Sequence, residues 1–301
     1  MSKSPDLMRC GYVAIVGRPN VGKSTLMNHL IGQKISITSD KPQTTRHRIL
    51  GIKTTEQAQY VYVDTPGVHT GTKKHINRMM NKAAISALAD VDVIGFVVEA
   101  GLWTAEDLIV LEKIKSATAP VILLINKIDK LADKTSLLPF IETVQSLAEF
   151  KEIMPVSALK GNNLPQLESL LSSMFPESAP IFPVDDVTDK SMRFLATEII
   201  REKLMRKLGQ ELPYSVAVEM EEYKTTPRIT NISACIWVER SSQKGIVIGK
   251  QGQKLKEIGT DARLDIEKLI GSKVNLKLWV KVKEGWSENE RILRSLGLDE
   301  Q

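Results

Sequence analysis

The sequence predicts two folded domains: a doubly wound α/β domain, with a mostly parallel sheet of about six strands and helices on both faces, and a smaller α+β module behind it. Three observations predict this arrangement. Short β-branched runs alternate with helical stretches through the first half, three prolines then fall between 176 and 183, and beyond them the order becomes helix, two strands, two helices, strand. A chain of 301 residues exceeds the usual single-domain size, and 42% apolar with 26% charged residues is ordinary globular composition rather than the low-hydrophobicity signature of disorder.

The runs at 12–16, 60–63, 93–98, 121–125 and 153–155 read as buried parallel strands, because each is short, apolar and separated from the next by a helical stretch. The helices are expected at 23–30, 74–88, 106–115, 137–150 and 164–174, and 49–53 is expected as an antiparallel edge strand beside 60–63. Pro176, Pro180 and Pro183 resist both helix and sheet pairing. The domains are therefore expected at 1–180 and 191–301, joined by a linker at 181–190. The second begins with a helix at 191–208, followed by strands at 215–222 and 229–239, helices at 253–257 and 260–270, and a strand at 275–282.

Charge is distributed unevenly. The net charge is +5, and between 240 and 283 eleven Lys and Arg stand against only Glu257, Asp261, Asp265 and Glu267, a stretch suited to a polyanion. Cys10 and Cys235 lack metal-ligand spacing and read as buried reduced thiols. The strongest apolar run, 91–100, contains Asp92 and Gly95 and is too short to span a bilayer. A cytoplasmic protein is expected, with peripheral membrane contact left open.

Gly17-Arg18-Pro19-Asn20-Val21-Gly22-Lys23-Ser24, followed by Thr25, leaves a strand and opens a helix, the context of a phosphate-binding loop. Its glycines let backbone N–H groups wrap phosphates, Lys23 reaches the outer phosphates, and Ser24 suits Mg²⁺. Asp64-Thr65-Pro66-Gly67 ends the strand at 60–63, which places Asp64 where it can hold the Mg²⁺ shell and Gly67 where its N–H can meet a γ-phosphate. Asn126-Lys127-Ile128-Asp129 selects a base: Asp129 accepts from the ring N–H and exocyclic amine of guanine, Asn126 braces the pocket, and the Lys127 stem covers the ring. Ser157-Ala158-Leu159-Lys160 follows the last strand and suits a backbone N–H from Ala158 to the guanine oxygen.

Residues 34–48 contain Pro42-Gln43-Thr44-Thr45-Arg46, and a threonine there must reach Mg²⁺ and the γ-phosphate if the segment is ordered by GTP. Thr45 is favoured, with Thr44 the alternative. A second switch is expected to begin at Gly67, with Gly71, Lys73 and Lys74 in it. Where many GTPases carry a glutamine that orients water, this chain has Val68, so catalysis is expected mainly from Mg²⁺ and Lys23, with slow intrinsic turnover. Asn20 either helps to hold a monovalent cation such as K⁺ or only braces the loop. His69 reads as a surface residue.

In the second domain Gly249-Lys250-Gln251-Gly252 is a GxxG loop, whose glycines admit a nucleic-acid backbone while Lys250 faces phosphate. Ile246, Val247 and Ile248 are expected to floor a groove for unpaired bases, and Lys254 adds charge on the helix that follows. With the α-β-β-α-α-β order and the local cation excess, this reads as a KH module. Trp237, Trp279 and Trp286 could serve as base-stacking platforms, but such tryptophans are more often core or packing residues, as is expected of Trp237 and Trp279 inside strands.

On the phosphate-loop, Gln43-Thr44-Thr45-Arg46, Asp64–Gly67, Asn126–Asp129 and GxxG motifs together, the chain resembles the Era family of bacterial GTPases involved in small ribosomal subunit assembly, over essentially its whole length and without departure at these positions. The resemblance implies a P-loop GTPase domain joined to a type II KH domain, with GTP and GDP as ligands. It further implies binding of 16S-type rRNA near its 3′ end on the 30S subunit, an RNA-binding arrangement favoured by GTP, release timed by hydrolysis, and a peripheral inner-membrane pool. The alternative is a membrane-associated signalling GTPase whose C-terminal module recruits a protein.

Overall fold

The computed structural model describes residues 7–39, 41, 44–67, 84, 86, 88–209, 212–289 and 293. Pro42, Gln43, Val68, His69, Gly71, Lys73 and Lys74 lie outside the described residues, with most of the helix expected at 74–88. The chain divides into two compact units. The first holds the described residues within Met1–Ser36, Thr45–Gly71 and Met80–Asp189, and the second those within Ile37–Thr44 and Lys190–Gln301.

In the first unit a sheet runs in the order β2-β3-β1-β4-β5-β6, formed by β1 (Met8–Val16), β2 (Ile49–Thr54), β3 (Ala58–Asp64), β4 (Val93–Glu99), β5 (Val121–Asn126) and β6 (Glu152–Pro155). β2 is antiparallel to β3 as expected, and the remaining pairings along this path are parallel. All seven residues of β3 are buried, as a strand covered on both faces requires. The helices are α1 (Lys23–Ile31), α2 (Ala105–Ile114), α3 (Leu137–Gln145) and α4 (Leu164–Met174). α2 starts where it does because Thr104 and Asp107 form a capping box, and it buries Val110, Leu111 and Ile114 against Ala14, Ile94, Phe96 and Val98. Register then sets the functional edge. Ile15 pairs with Asp64, Val16 with Phe96 and Glu99 with Asn126, so the carboxyl ends of β1, β3, β4 and β5 open side by side.

The proline-rich stretch, expected to resist sheet pairing, does pair. β7 (Glu177–Ser178) lies antiparallel to β1, and Val187 O accepts from Ile52 N while Thr188 bridges Gly51. The prolines permit this because their carbonyls still accept: Cys10 N donates to Pro176 O at 3.0 Å.

The second unit comprises α5 (Met192–Lys207), β8 (Val216–Thr225), β9 (Ile229–Val238), α6 (Ser241–Ile248), α7 (Gln253–Ile270) and β10 (Lys273–Val282). Its sheet order is β10-β9-β8, with β9 parallel to β10 and antiparallel to β8. The described residues within Ile37–Thr44 belong here as well. The fully buried Glu202 accepts from Thr38 N at 3.0 Å, Arg201 donates to Thr44 O, and Lys41 donates to the carbonyls of Met205 and Leu208.

Two expectations need correction. The helices at 253–257 and 260–270 are one helix, because Ile258, Ala262 and Ile266 keep an i, i+4, i+8 stripe in the core that outweighs the roughly 1 kcal/mol cost of Gly259. Residues 241–248, to which the sequence assigned neither helix nor strand, form α6. Trp237 and Trp279 lie on the sheet face away from the core, half-buried beneath lysine ammonium groups: Lys283 stands 4.6 Å from the Trp237 ring and Lys281 5.8 Å from that of Trp279. Trp286 is the fully buried indole of the three and donates to Ser215 O.

Candidate functional site

The loop between β1 and α1 needs glycine at its two ends. A Cβ on Gly17 would meet Val97 O at 2.4 Å, and one on Gly22, which has φ 104°, would meet Asn126 Nδ2 at 2.3 Å. Asn20 is exposed with φ 65°, a conformation asparagine tolerates better than most side chains. Lys23 is buried and its Nζ donates to Gly17 O at 3.0 Å and Arg18 O at 2.8 Å. Burial pushes its pKa down to about 8.

Beside Lys23 three oxygens converge. Ser24 Oγ lies 2.9 Å from Thr45 Oγ1 and donates to Asp64 Oδ2 at 2.8 Å, and Thr45 Oγ1 stands 3.4 Å from the same carboxylate oxygen. Thr45 and not Thr44 occupies this position; Thr44 Oγ1 donates to Lys41 O. Asp64 is fully buried, and burial raises its pKa despite hydrogen bonds from Ser36, Ser24 and Thr45. Its Oδ1 has no hydrogen-bond partner among the described residues. Thr65 donates to Ile15 O, and a Cβ on Gly67 would sit 3.1 Å from Pro19, so the end of β3 lies against the phosphate loop.

At the end of β5, Asn126 is buried; its Nδ2 donates to Val21 O at 2.7 Å and its Oδ1 accepts from Ala158 N at 2.9 Å. The Ala158 N–H, expected to serve a base oxygen, is thus engaged by Asn126, whose buried amide oxygen requires a donor. Asp129 Oδ1 accepts from Ser157 Oγ at 2.5 Å. Lys127 has φ 66° and donates from Nζ to Glu99 Oε2 at 2.8 Å. Burial works against the charge on Glu99, but the Lys127 ammonium and the Arg18 guanidinium outweigh it and hold the carboxyl below its ordinary range.

Sequence reasoning missed Ser36, Glu99 and Asp107. Ser36 Oγ donates to Asp64 at 2.7 Å and belongs to no motif that reveals it. Asp107 carried a signal, the Thr104-x-x-Asp107 capping spacing.

In the second unit Gly249 ends α6 at φ 74°, Gln251 and Gly252 have φ 50° and 77°, and α7 begins at Gln253. A Cβ on Gly249 would meet Lys254 Cβ at 2.6 Å, which accounts for the first glycine of GxxG. Lys250 and Gln251 are exposed and Lys254 half-buried. Ile246 is 47% exposed, but Val247 is fully buried in the core and Ile248 packs against it, so the three do not form the expected groove floor together. The helical spacing of α6 separates these three side chains, where an extended loop would have presented two of them together.

A phosphate loop, a buried Asp–Ser–Thr oxygen cluster and an Asn-Lys-x-Asp loop on one sheet edge, in a chain that also carries a GxxG α+β module, define a guanine-nucleotide-binding protein with a KH module. A family model described as a 50S ribosome-binding GTPase matches residues 12–127, and one described as a KH domain matches 211–287. The chain is 58% identical to GTPase Era of Coxiella burnetii over 97% of its own length and 98% of that protein, and 56% identical to GTPase Era of Marinobacter nauticus over 97% and 96%. A crystal structure of Era in complex with MgGDPNP and nucleotides 1506–1542 of 16S ribosomal RNA superposes with a TM-score of 0.94 at 43% identity, covering 97% of this chain and 99% of that one. A variant of Aquifex aeolicus Era bound to GDP and AlF4⁻ superposes with a TM-score of 0.93 at 43% identity. The chain belongs to the GTPase Era family.

Proposed function

We propose that this protein is a Mg²⁺-dependent GTPase that binds small-subunit ribosomal RNA near its 3′ end through the KH module and acts in 30S subunit assembly, with hydrolysis timing its release from RNA. The observation that carries the nucleotide half is the buried Asp64 carboxylate, with one oxygen unpartnered among the described residues and the other shared by Ser24 and Thr45 beside Lys23. An all-oxygen donor set of this kind fits a hard divalent cation.

Ser24, Thr45 and Asp64 are the residues that hold Mg²⁺, which when bound neutralises charge on the β- and γ-phosphates. Lys23 places its ammonium on the same phosphates, and the N–H groups of 17–24 surround them at the start of α1. Gly67 presents its N–H where a γ-phosphate oxygen lies. Asp129 reads the guanine N–H groups, Asn126 sets the loop that carries it, and Lys127 covers the ring. With Val68 following Gly67, no side chain of this motif polarises water, and turnover is slow without a partner or a monovalent cation at Asn20.

The RNA half rests on the backbone at Gly249 and Gly252, the exposed Lys250 and Gln251, and Lys254 behind them. Among the described residues no helix is long and apolar enough to cross a membrane; a peripheral inner-membrane pool belongs to this proposal through the family resemblance. The test is crosslinking of the full chain to ribosomal RNA with GTP, GDP or a non-hydrolysable analogue. Crosslinks near the 16S 3′ end that depend on nucleotide are expected, and nucleotide-independent crosslinks would defeat the gated reading.

A further inference from the structure

Arg18 is the second residue of the phosphate loop, yet its side chain turns away to meet two carboxylates. Its Nε donates to Asp107 Oδ2 at 3.1 Å and its Nη2 to Glu99 Oε2 at 3.3 Å. The Glu99 oxygen that accepts from Arg18 also accepts from Lys127 Nζ at 2.8 Å. Four charges, two of each sign, therefore link the phosphate loop, the end of β4, the first turn of α2 and the base-reading loop.

Helix capping does not explain this cluster. Asp107 Oδ2 accepts from Thr104 N at 2.9 Å and Thr104 Oγ1 at 2.8 Å, which suffices for a cap, and caps form readily at exposed positions. Here Asp107 is 0% exposed and its Oδ1 has no partner among the described residues. Burying a carboxylate incompletely satisfied is costly, and the guanidinium that compensates it belongs to the phosphate loop. Lys127 is strained in the complementary way, at a left-handed φ of 66° that disfavours a side chain, and its ammonium is anchored on Glu99. The tie from Asn126 to Val21 joins the two loops a second time, through an uncharged amide.

We infer that Glu99 and Asp107 are positioning residues for the nucleotide, an acidic bridge that fixes the phosphate loop through Arg18 and the base-covering lysine through Glu99, and so sets the separation at which the two ends of one guanine nucleotide are held. The inference rests on the guanine-nucleotide reading of this site. Asp107 is fully buried with Arg18 Nε donating to it, so its effect passes through Arg18. Glu99 acts through both cations and is the residue common to the two ends.

The test uses the full chain, with Asp107→Asn, Glu99→Gln, Arg18→Ala and the Arg18→Ala/Asp107→Asn pair. GDP affinity, the KM and kcat for GTP, and the urea midpoint are measured at fixed Mg²⁺ and salt. Each single substitution is expected to raise KM and the GDP Kd about tenfold, the weight of one hydrogen bond to a charged group, with kcat changed less than about twofold. In the Arg18→Ala background Asp107→Asn is expected to add less than about twofold, because its route to the nucleotide is already cut. A merely structural role would lower the urea midpoint and the active fraction while the remaining enzyme kept its KM. Should Asp107→Asn fail to fold, Glu99→Gln, at a less buried position, decides alone. Wild-type KM and Kd in the folded variants, or full additivity of Arg18→Ala and Asp107→Asn, overturn the inference. Wild-type protein that binds no GDP overturns instead the guanine reading beneath it.

Discussion

Asn126 Nδ2 donates to the carbonyl oxygen of Val21 at 2.7 Å, so the residue that opens the base-reading loop is hydrogen-bonded into the phosphate loop. Its Oδ1 accepts from Ala158 N, and a single buried amide closes three loops. Asn126→Ala strands the Val21 carbonyl and the Ala158 N–H away from water. A loss of roughly 2–5 kcal/mol in urea unfolding is expected from two unsatisfied backbone groups, accompanied by weaker GDP binding. Wild-type stability together with wild-type affinity would show that the loops close without it.

Lys250 and Gln251 are exposed at the tip of GxxG, so replacing both with aspartate leaves folding within about 0.5 kcal/mol of wild type. RNA binding at physiological salt is expected to be lost while GTP hydrolysis persists, since two new anions face the phosphate backbone. The readout is filter binding of a 16S 3′-end oligonucleotide beside phosphate release. Retained RNA affinity removes the GxxG loop from the interface.

The alternation of strand and helix, the phosphate loop, the Asp64 and Asn126–Asp129 motifs and the GxxG loop were legible because each depends on local spacing. A parallel sheet needs only short apolar runs separated by helices, and the register that brings Asp64 and Asn126 to one edge follows from that topology. What was not legible depends on contacts remote in sequence. Asp107 and Arg18 are 89 residues apart, and Ser36 reaches Asp64 from a segment with no motif. No element is legible in the sequence at 241–248; α6 forms there because Val247 packing in the core sustains it through Gly245, and Ile258 and Ala262 carry α7 across Gly259 in the same way.

Asn20 stands exposed in the phosphate loop in a left-handed conformation. If its side-chain oxygen helps to hold a monovalent cation, turnover in potassium exceeds turnover in sodium for the wild type, and Asn20→Ala abolishes the difference. Phosphate release in the two salts at equal ionic strength measures it. Equal rates throughout leave Asn20 as a loop brace alone.

Cys235 is fully buried, and burial pushes its thiol up to about 11 from an ordinary value of 9.0. Cys10 is buried as well. Iodoacetamide at pH 8 is expected to modify neither in the native protein, where both thiols are buried, and both after unfolding. The sign of the pH effect follows: a pKa raised by folding contributes stability that is complete below 9 and is lost as pH rises through about 11. Urea midpoints that fall over that window more steeply for wild type than for Cys235→Ala check it, and parallel curves contradict it.

Guanine recognition by Asp129 is the central claim. In the proposed role its carboxylate accepts two N–H groups from guanine, and xanthine presents a carbonyl where guanine has the exocyclic amine, so Asp129→Asn supplies the donor that xanthine needs. The decisive measurement is the affinity of wild type and Asp129→Asn for GDP and XDP. A loss of GDP binding of about a hundredfold or more with a matching gain in XDP binding is predicted. An unchanged preference for GDP in the folded variant would contradict the account.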